Sequence, residues 1–391
     1  MIYGNHNIHP KGAINIEKQK IEEIIRHWDD WWERRNTEPI YYIIYPEKEP
    51  EYGRFAKPWM SPQMIDGWSN WKQEMLLGQA LELVIRENNW QYIEEALDLL
   101  EYYASITGHA AEGYPFYLPR FGPGMLAACI SNFFKFKDFT IWFELNEGMI
   151  WERLEALTPA VRAPYADFAL EAARRTVKRL KELYIISMPD LGKGLDTLSS
   201  LRGARNLLLD IVDYPEKIHK ALNTIDKIFE GIYAEFSAII HQDNPGRTES
   251  MRYLSSKPMH ISYCDFSAMI SPAAFADMVV PMIKKDVERF GGRVVFHLDG
   301  PGQLPHLESL CSIDGLFAVQ WVPGAGNKPC YDEKHDGLYQ KILDKGKRIC
   351  LSTEPESPEQ LSAFFRKFPK REFFVPVTLS SKAELRKWKP A

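Results

Sequence analysis

The sequence predicts an α/β protein, a (β/α)8 TIM barrel with a helical N-terminal extension. Short apolar, β-prone runs alternate with amphipathic helical segments through the second half of the chain, the pattern of parallel strands joined by helical crossovers. Eight such runs occur, near residues 41, 116, 185, 260, 295, 318, 350 and 375, and eight is the number a barrel needs. No Gly-x-Gly-x-x-Gly follows any of them, which argues against a doubly wound dinucleotide fold.

The elements follow in order. Asn15 caps a helix running to about Arg35, with Ile21, Ile24, Ile25, Trp28, Trp31 and Trp32 on one face. Residues 1–13 precede it as a loose arm. Pro39–Tyr45 is the first strand, and 46–62 a loop. Helices follow near Trp71–Glu87 and Trp90–Ser105, the second stopped by Gly108. A strand lies in Tyr114–Gly124, a short one at Phe139–Phe143 outside the main sheet, and a long helix at Pro159–Glu182. Thereafter strands at 183–188, 259–264, 294–299, 316–321, 348–352 and 372–377 alternate with helices at 215–241, 272–290, 304–310, 337–345 and 358–368. The organisation is an arm over 1–38 and a barrel over 39–391, with helical insertions around 64–180.

The 391 residues are 45% hydrophobic, enough for a large core, and carry a formal net charge of −5. No basic tract occurs, so nucleic acid and anionic membrane are poor partners. No apolar run reaches the roughly 18 residues of a membrane span, and the first residues lack the pattern of a signal peptide. The five cysteines (129, 264, 311, 330 and 350) form no Cys-x-x-Cys pair, which points to a reducing cytoplasm.

The stretch Arg293–Gly302 holds the clearest chemistry. Val294-Val-Phe296 feeds a strand into His297-Leu-Asp299 and a Gly-Pro-Gly turn. Side chains alternate along a strand, so His297 and Asp299 share a face. They can co-ligate a metal, act as an acid/base pair, or simply bond each other at a turn. In a barrel the C-terminal strand ends build the site. Those ends supply Asp190, Cys264, Asp265, His297, Asp299, Gln320, Trp321, Ser352, Glu354 and Thr378, with no Lys or Arg among them. Four carboxylates and a histidine on one rim repel unless a proton, a metal or a cationic ligand intervenes. Cys264 is either a core thiol or a ligand.

Tyr263–Pro281 resembles the Asp-x-x-x-x-x-Ser-Pro-x-x-Phe-x-x-Phe-x-x-Pro stretch of the uroporphyrinogen decarboxylase superfamily. Phe296-His-Leu-Asp-Gly300 is similar to that family's strand ending in His-x-Cys-Gly, and Met188–Asp196 and Leu208–Glu216 are similar to its earlier segments. The resemblance covers roughly residues 180–380. It implies a (β/α)8 barrel and one of two chemistries. One branch decarboxylates porphyrinogens without a cofactor. The other moves methyl groups between a corrinoid and a thiol, with zinc on a His-x-Cys pair and a later Cys.

The decarboxylase needs arginine and lysine for a polycarboxylate, and the nearest counterpart of its basic motif, Lys57–Pro62, has no Arg. In the zinc branch, Asp299 stands where the first ligand cysteine would be, and Glu372–Ser381 lacks the later one. The leading expectation is metal-assisted methyl transfer linked to a corrinoid carried by a partner protein. His297, Asp299, Cys264 and Glu354 are the candidate ligands for zinc or another divalent metal. Asp190 and Asp265 would orient substrate, Gln320, Trp321 and Glu354 would bind it, His297 and Asp299 would alternatively activate the acceptor, and Glu354 is an alternative general base. The runners-up are a cofactor-independent lyase acting through Asp190 or Asp265 and a non-catalytic corrinoid or small-molecule binding protein. The expected partners are a small-molecule substrate and a corrinoid protein, with a homodimer as the assembly to test.

Overall fold

The computed structural model describes residues 18–388, apart from 52, 54, 62–69, 123, 133, 138, 139, 143–147 and 370. The expected loose segment 1–13 and the Asn15 cap lie outside the described residues. No described helix is long and apolar enough to cross a membrane.

The strands that build the main sheet and its companion ribbon are β1 (Ile40–Pro46), β2 (Thr107–Ala111), β3 (Phe116–Tyr117), β4 (Ile185–Ile186), β5 (His260–Tyr263), β6 (Val294–Asp299), β7 (Ala318–Val322), β8 (Arg348–Leu351) and β9 (Phe373–Thr378). A seven-stranded sheet runs in the order β2-β1-β9-β8-β7-β6-β5. It is parallel throughout except where β2 pairs antiparallel to β1. The chain is therefore a mixed α/β protein with a mostly parallel central sheet. All eight expected runs carry a strand, but their ladder is not continuous. Strands β3 and β4 pair with each other in a separate parallel ribbon. Prolines explain the shortness of these two strands: Pro115 and Pro119 flank β3 and Pro189 follows β4, each without a ladder donor.

Other bonds span the two gaps. On one side the hydroxyl of Tyr42 donates to the Tyr114 carbonyl (3.1 Å), and the N–H of Glu112 donates to the Tyr41 carbonyl (3.0 Å). On the other, the N–H of Met188 donates to the Thr248 carbonyl (3.0 Å). Beyond it Glu249 accepts the Ile261 N–H of β5 (2.8 Å), so a side-chain carboxylate substitutes for a missing neighbour carbonyl.

Strand alternation separates two cores. Tyr42, Phe116, Ile185, Ile261, Val295, Ala318, Cys350 and Phe374 join one buried cluster, with at least one side chain from each of β1 and β3–β9. Ile43, Leu298, Val319, Trp321, Ile349 and Val375, on the opposite faces, belong to a second cluster shared with the helices. Helix α1 (Lys18–Trp32) contributes all six of its predicted apolar residues to the first cluster. Trp28 packs on Phe374 (ring centroids 5.6 Å) and Trp31 edge-on to Phe317 (4.8 Å).

Three local departures matter. Gly108 does not end a helix; it lies inside β2, where a Cβ would come 2.3 Å from the Tyr45 ring. The segment expected to be one helix over 272–290 is α-helical at Pro272–Ala274, widens to a π-turn at Phe275–Val279, and resumes as α-helix over Val280–Arg289. Pro281 lacks the N–H that an α-helix would offer to the Asp277 carbonyl, so the turn before it opens. Two further helices, α2 (Gly194–Arg202) and α3 (Ala204–Asp213), follow β4 in a segment to which the sequence assigned no element, and Gly203 (φ +86°) turns the chain between them.

Candidate functional site

The parallel register aligns Tyr263 of β5 with His297 of β6, and His297 with Gln320 of β7. These three residues form a row above the inner core, and two residues further along, Asp265 and Asp299 form the next. A ring nitrogen of His297 and one carboxylate oxygen each from Asp265 and Asp299 lie within 4.8 Å of one another. Asp265 and His297 of this cluster line a cleft of about 540 Å³, a volume typical of small-molecule sites. Its walls include Asp190, Asp196, Tyr263, Asp265, Phe266 and His297, and Trp142 stands at its edge with half its surface exposed.

Each group is held in place. Nδ1 of His297 lies 2.5 Å from Oε1 of Gln320. An amide oxygen only accepts, so Nδ1 is the donor, and in the neutral ring the lone pair lies on Nε2. The hydroxyl of Tyr263 donates to Oδ1 of Asp190. Burial raises the Asp190 carboxyl above its ordinary range, while the Tyr263 hydrogen bond and the charges of Arg120 and His297 act the other way. Asp265 is raised too, first by the removal of water around it; His297 opposes the shift, and Asp299 and Asp190 add to it. Asp196, on the first turn of α2, accepts the backbone N–H groups of Asp265 (3.0 Å) and Phe266 (2.8 Å). Burial, followed by the charge of Asp265, pushes its carboxyl up to about 7.

The structure thus brings together Asp190, Asp265, His297, Asp299 and Gln320. Three expected members lie elsewhere. Cys264 is fully buried on the outward face of its chain segment, and burial followed by the Asp196 charge holds its thiol well above the ordinary range. Trp321 also points outward, packed edge-on to His335 (5.5 Å) and 1% exposed, because its neighbour Gln320 takes the inward position. Glu354 is exposed and accepts from the Thr378 hydroxyl (2.5 Å); it is not part of the cluster. All five cysteines are buried, and none lines this cleft among the described residues.

Two contributors went unread in the sequence as site residues. Tyr263 shares the inward face with Asp265, so the alternation that paired His297 with Asp299 applies to it equally. Asp196 had no such signal, since its role depends on α2 meeting the 3-10 turn Asp265–Met269.

The fold and cleft define a mostly parallel α/β scaffold with a carboxylate–histidine cluster at the C-terminal strand ends. The chain is similar in structure to a methyltransferase from Methanosarcina mazei, with a TM-score of 0.52 over 92% of this chain and 93% of that one, at 10% sequence identity. At that identity the likeness speaks for the fold. No protein-family model and no curated protein matches the chain.

Proposed function

We propose that the protein is a metal-assisted methyltransferase with a (β/α)8-type architecture. In this reading Asp265, His297 and Asp299 hold a divalent ion. The observation that carries the reading is the convergence of these three residues within 4.8 Å, two of which, Asp265 and His297, line the cleft. The fit to a metal rests on donor chemistry. One imidazole and two carboxylates, with ligand atoms within 4.8 Å, make a nitrogen–oxygen set suited to zinc or another divalent ion. They do not reproduce a thiolate zinc site, because no cysteine of the described residues reaches the cleft. A bound divalent ion would supply Lewis acidity that lowers the pKa of an acceptor thiol or hydroxyl.

The chain's own residues do the rest. Gln320 fixes the His297 tautomer that leaves Nε2 free. Asp196 anchors the turn that begins at Asp265. Tyr263 keeps Asp190 hydrogen-bonded at the cleft wall. A cleft of about 540 Å³ suits a small molecule, so a corrinoid donor or acceptor would be presented by a partner protein at the mouth. The porphyrinogen decarboxylase reading is disfavoured, because no Lys or Arg is among the described residues lining the cleft.

Elemental analysis tests this on protein purified without chelator or metal-affinity tag, beside a His297→Ala variant. Stoichiometric divalent metal, lost in the variant, is the expected result. Metal in neither protein, with none taken up on titration with zinc, manganese or iron(II), overturns the proposed site and leaves the cleft to acid/base chemistry or to binding without turnover.

A further inference from the structure

The described walls of the cleft combine carboxylates with aromatic and thioether surface: Asp190 and Asp196 on one hand, Trp142, Phe266, Met251 and Met269 on the other. No Lys or Arg lines it among the described residues, and Arg120 acts on Asp190 from outside the lining. The charge balance is informative. A divalent ion on Asp265, His297 and Asp299 would neutralise two carboxylates and leave Asp190 and Asp196 without a compensating charge in the lining. Asp190 has a tyrosine hydroxyl as partner and Asp196 two backbone N–H groups, and all three of these donors are neutral. Thr197, Ser199, Ser200 and Ser250 add neutral hydroxyls to the lining, so a negative field beside aromatic and thioether surface favours a cation that is itself apolar at its surface.

We infer that this cleft binds a small methylated onium ion, a quaternary ammonium or sulfonium compound, as its substrate. This rests on the methyl-transfer reading of the cleft and names the substrate class within it. An alkylammonium with N–H groups would lose hydration that the aromatic wall does not replace. A methylated onium spreads its charge over methyl groups that contact Trp142, Phe266 and the two methionines without that loss. Trp142 is half exposed and lines the cleft, so its ring surface is not fully consumed by packing.

Isothermal titration calorimetry on the full chain near pH 8 tests the inference with three probes of one shape. These are choline, its neutral carbon isostere 3,3-dimethyl-1-butanol, and the anion 3,3-dimethylbutanoate. Trimethylsulfonium serves as a fourth, to separate the two onium sources. The expected result is that choline or trimethylsulfonium binds about ten-fold or more tighter than the neutral isostere, that the anion does not bind, and that added salt weakens the onium alone. Asp190→Asn lowers onium affinity about ten-fold and leaves the neutral isostere unchanged. Trp142→Ala, a substitution at a half-exposed site, lowers it as well and covers the case in which the Asp190 variant does not fold.

Titrations with the metal stripped and with zinc restored separate this inference from the methyl-transfer reading. Onium binding that persists without metal, in a protein that takes up none, supports the inference and removes the metal mechanism. Metal uptake with no preference for onium over the neutral isostere overturns the inference and leaves the mechanism standing. Absence of any onium binding at millimolar concentration also overturns it.

Discussion

Nδ1 of His297 and Oε1 of Gln320 lie 2.5 Å apart on adjacent strands in register. The bond decides which nitrogen of the ring is a donor and which keeps its lone pair. Partners of this kind orient a ligating imidazole, and their loss typically lowers metal affinity about 10–100-fold. Gln320→Ala is therefore expected to weaken the proposed metal site by that factor while leaving the protein folded. Competition against a chromophoric chelator measures it. An unchanged affinity would mean that His297 is not a ligand or that Gln320 does not orient it.

Among the described residues, the Tyr263 hydroxyl is the only side-chain hydrogen-bond donor to Asp190. In Tyr263→Phe the carboxylate stays at the cleft wall without that donor, a loss of about 1–3 kcal/mol. Burial already holds Asp190 above its ordinary range, and removal of the donor raises it further. The charged form is then the disfavoured one. The penalty is full at high pH and shrinks as Asp190 protonates on acidification. Urea unfolding midpoints at about pH 5 and about pH 8 are expected to show the larger deficit at the higher pH. An equal deficit at both would place the cost in ring packing instead.

Asp196 gives a second pH dependence with a definite window. Its carboxyl moves from 3.8 to about 7 in the folded protein. The folded state therefore holds a proton that the unfolded state has released. Its contribution to stability is complete below pH 3.8 and is lost as pH rises to about 7. A shift of this size corresponds to roughly 3–4 kcal/mol across the window. Asp196→Asn keeps an oxygen to accept one of the two backbone N–H groups, loses the other bond as an offset independent of pH, and cannot ionise. In metal-free protein, thermal midpoints measured from about pH 4 to about pH 8 should show the variant gaining on the wild type as pH rises. A constant difference would show that Asp196 is not perturbed.

What the sequence made legible was local. The β-prone runs at 294–299 and 318–322 are strands because continuous apolar stretches bury both faces of a parallel sheet. Alternation alone joined His297 to Asp299. Carried one step further, it would have rejected Trp321 once Gln320 was placed inward, since neighbours on a strand cannot share a face. What stayed hidden was non-local. The register of β5 on β6 brings Asp265 to His297, and no pattern within either strand encodes that pairing. Helices α2 and α3 went unread because Gly192, Gly194 and Gly203 break their pattern, yet they supply Asp196 and part of the cleft wall.

The last prediction concerns the end of the sheet opposite the cleft, where Arg348 begins β8. Its side chain is fully buried, with the guanidinium 5.2 Å from the Trp31 ring and 5.6 Å from Phe317. Nη2 donates to the Asn36 carbonyl (2.7 Å), while Nε and Nη1 have no hydrogen-bond partner among the described residues. The nearest carboxylate among the described residues, that of Glu372, is 3.9 Å away. Burial pulls the guanidinium down to about 10, which means that the fold disfavours its charge. Two effects therefore compete in this side chain: its stem fills space against the tryptophan of α1, and its head sits desolvated. Arg348→Met keeps most of the volume and removes the desolvated head, so its urea midpoint should equal or exceed that of the wild type. Arg348→Ala removes the stem as well and should lose about 2 kcal/mol or more through the cavity under Trp31. If Arg348→Met falls as far as Arg348→Ala, the cation itself holds α1 against the sheet, through its stacking on Trp31 and its bond to Asn36.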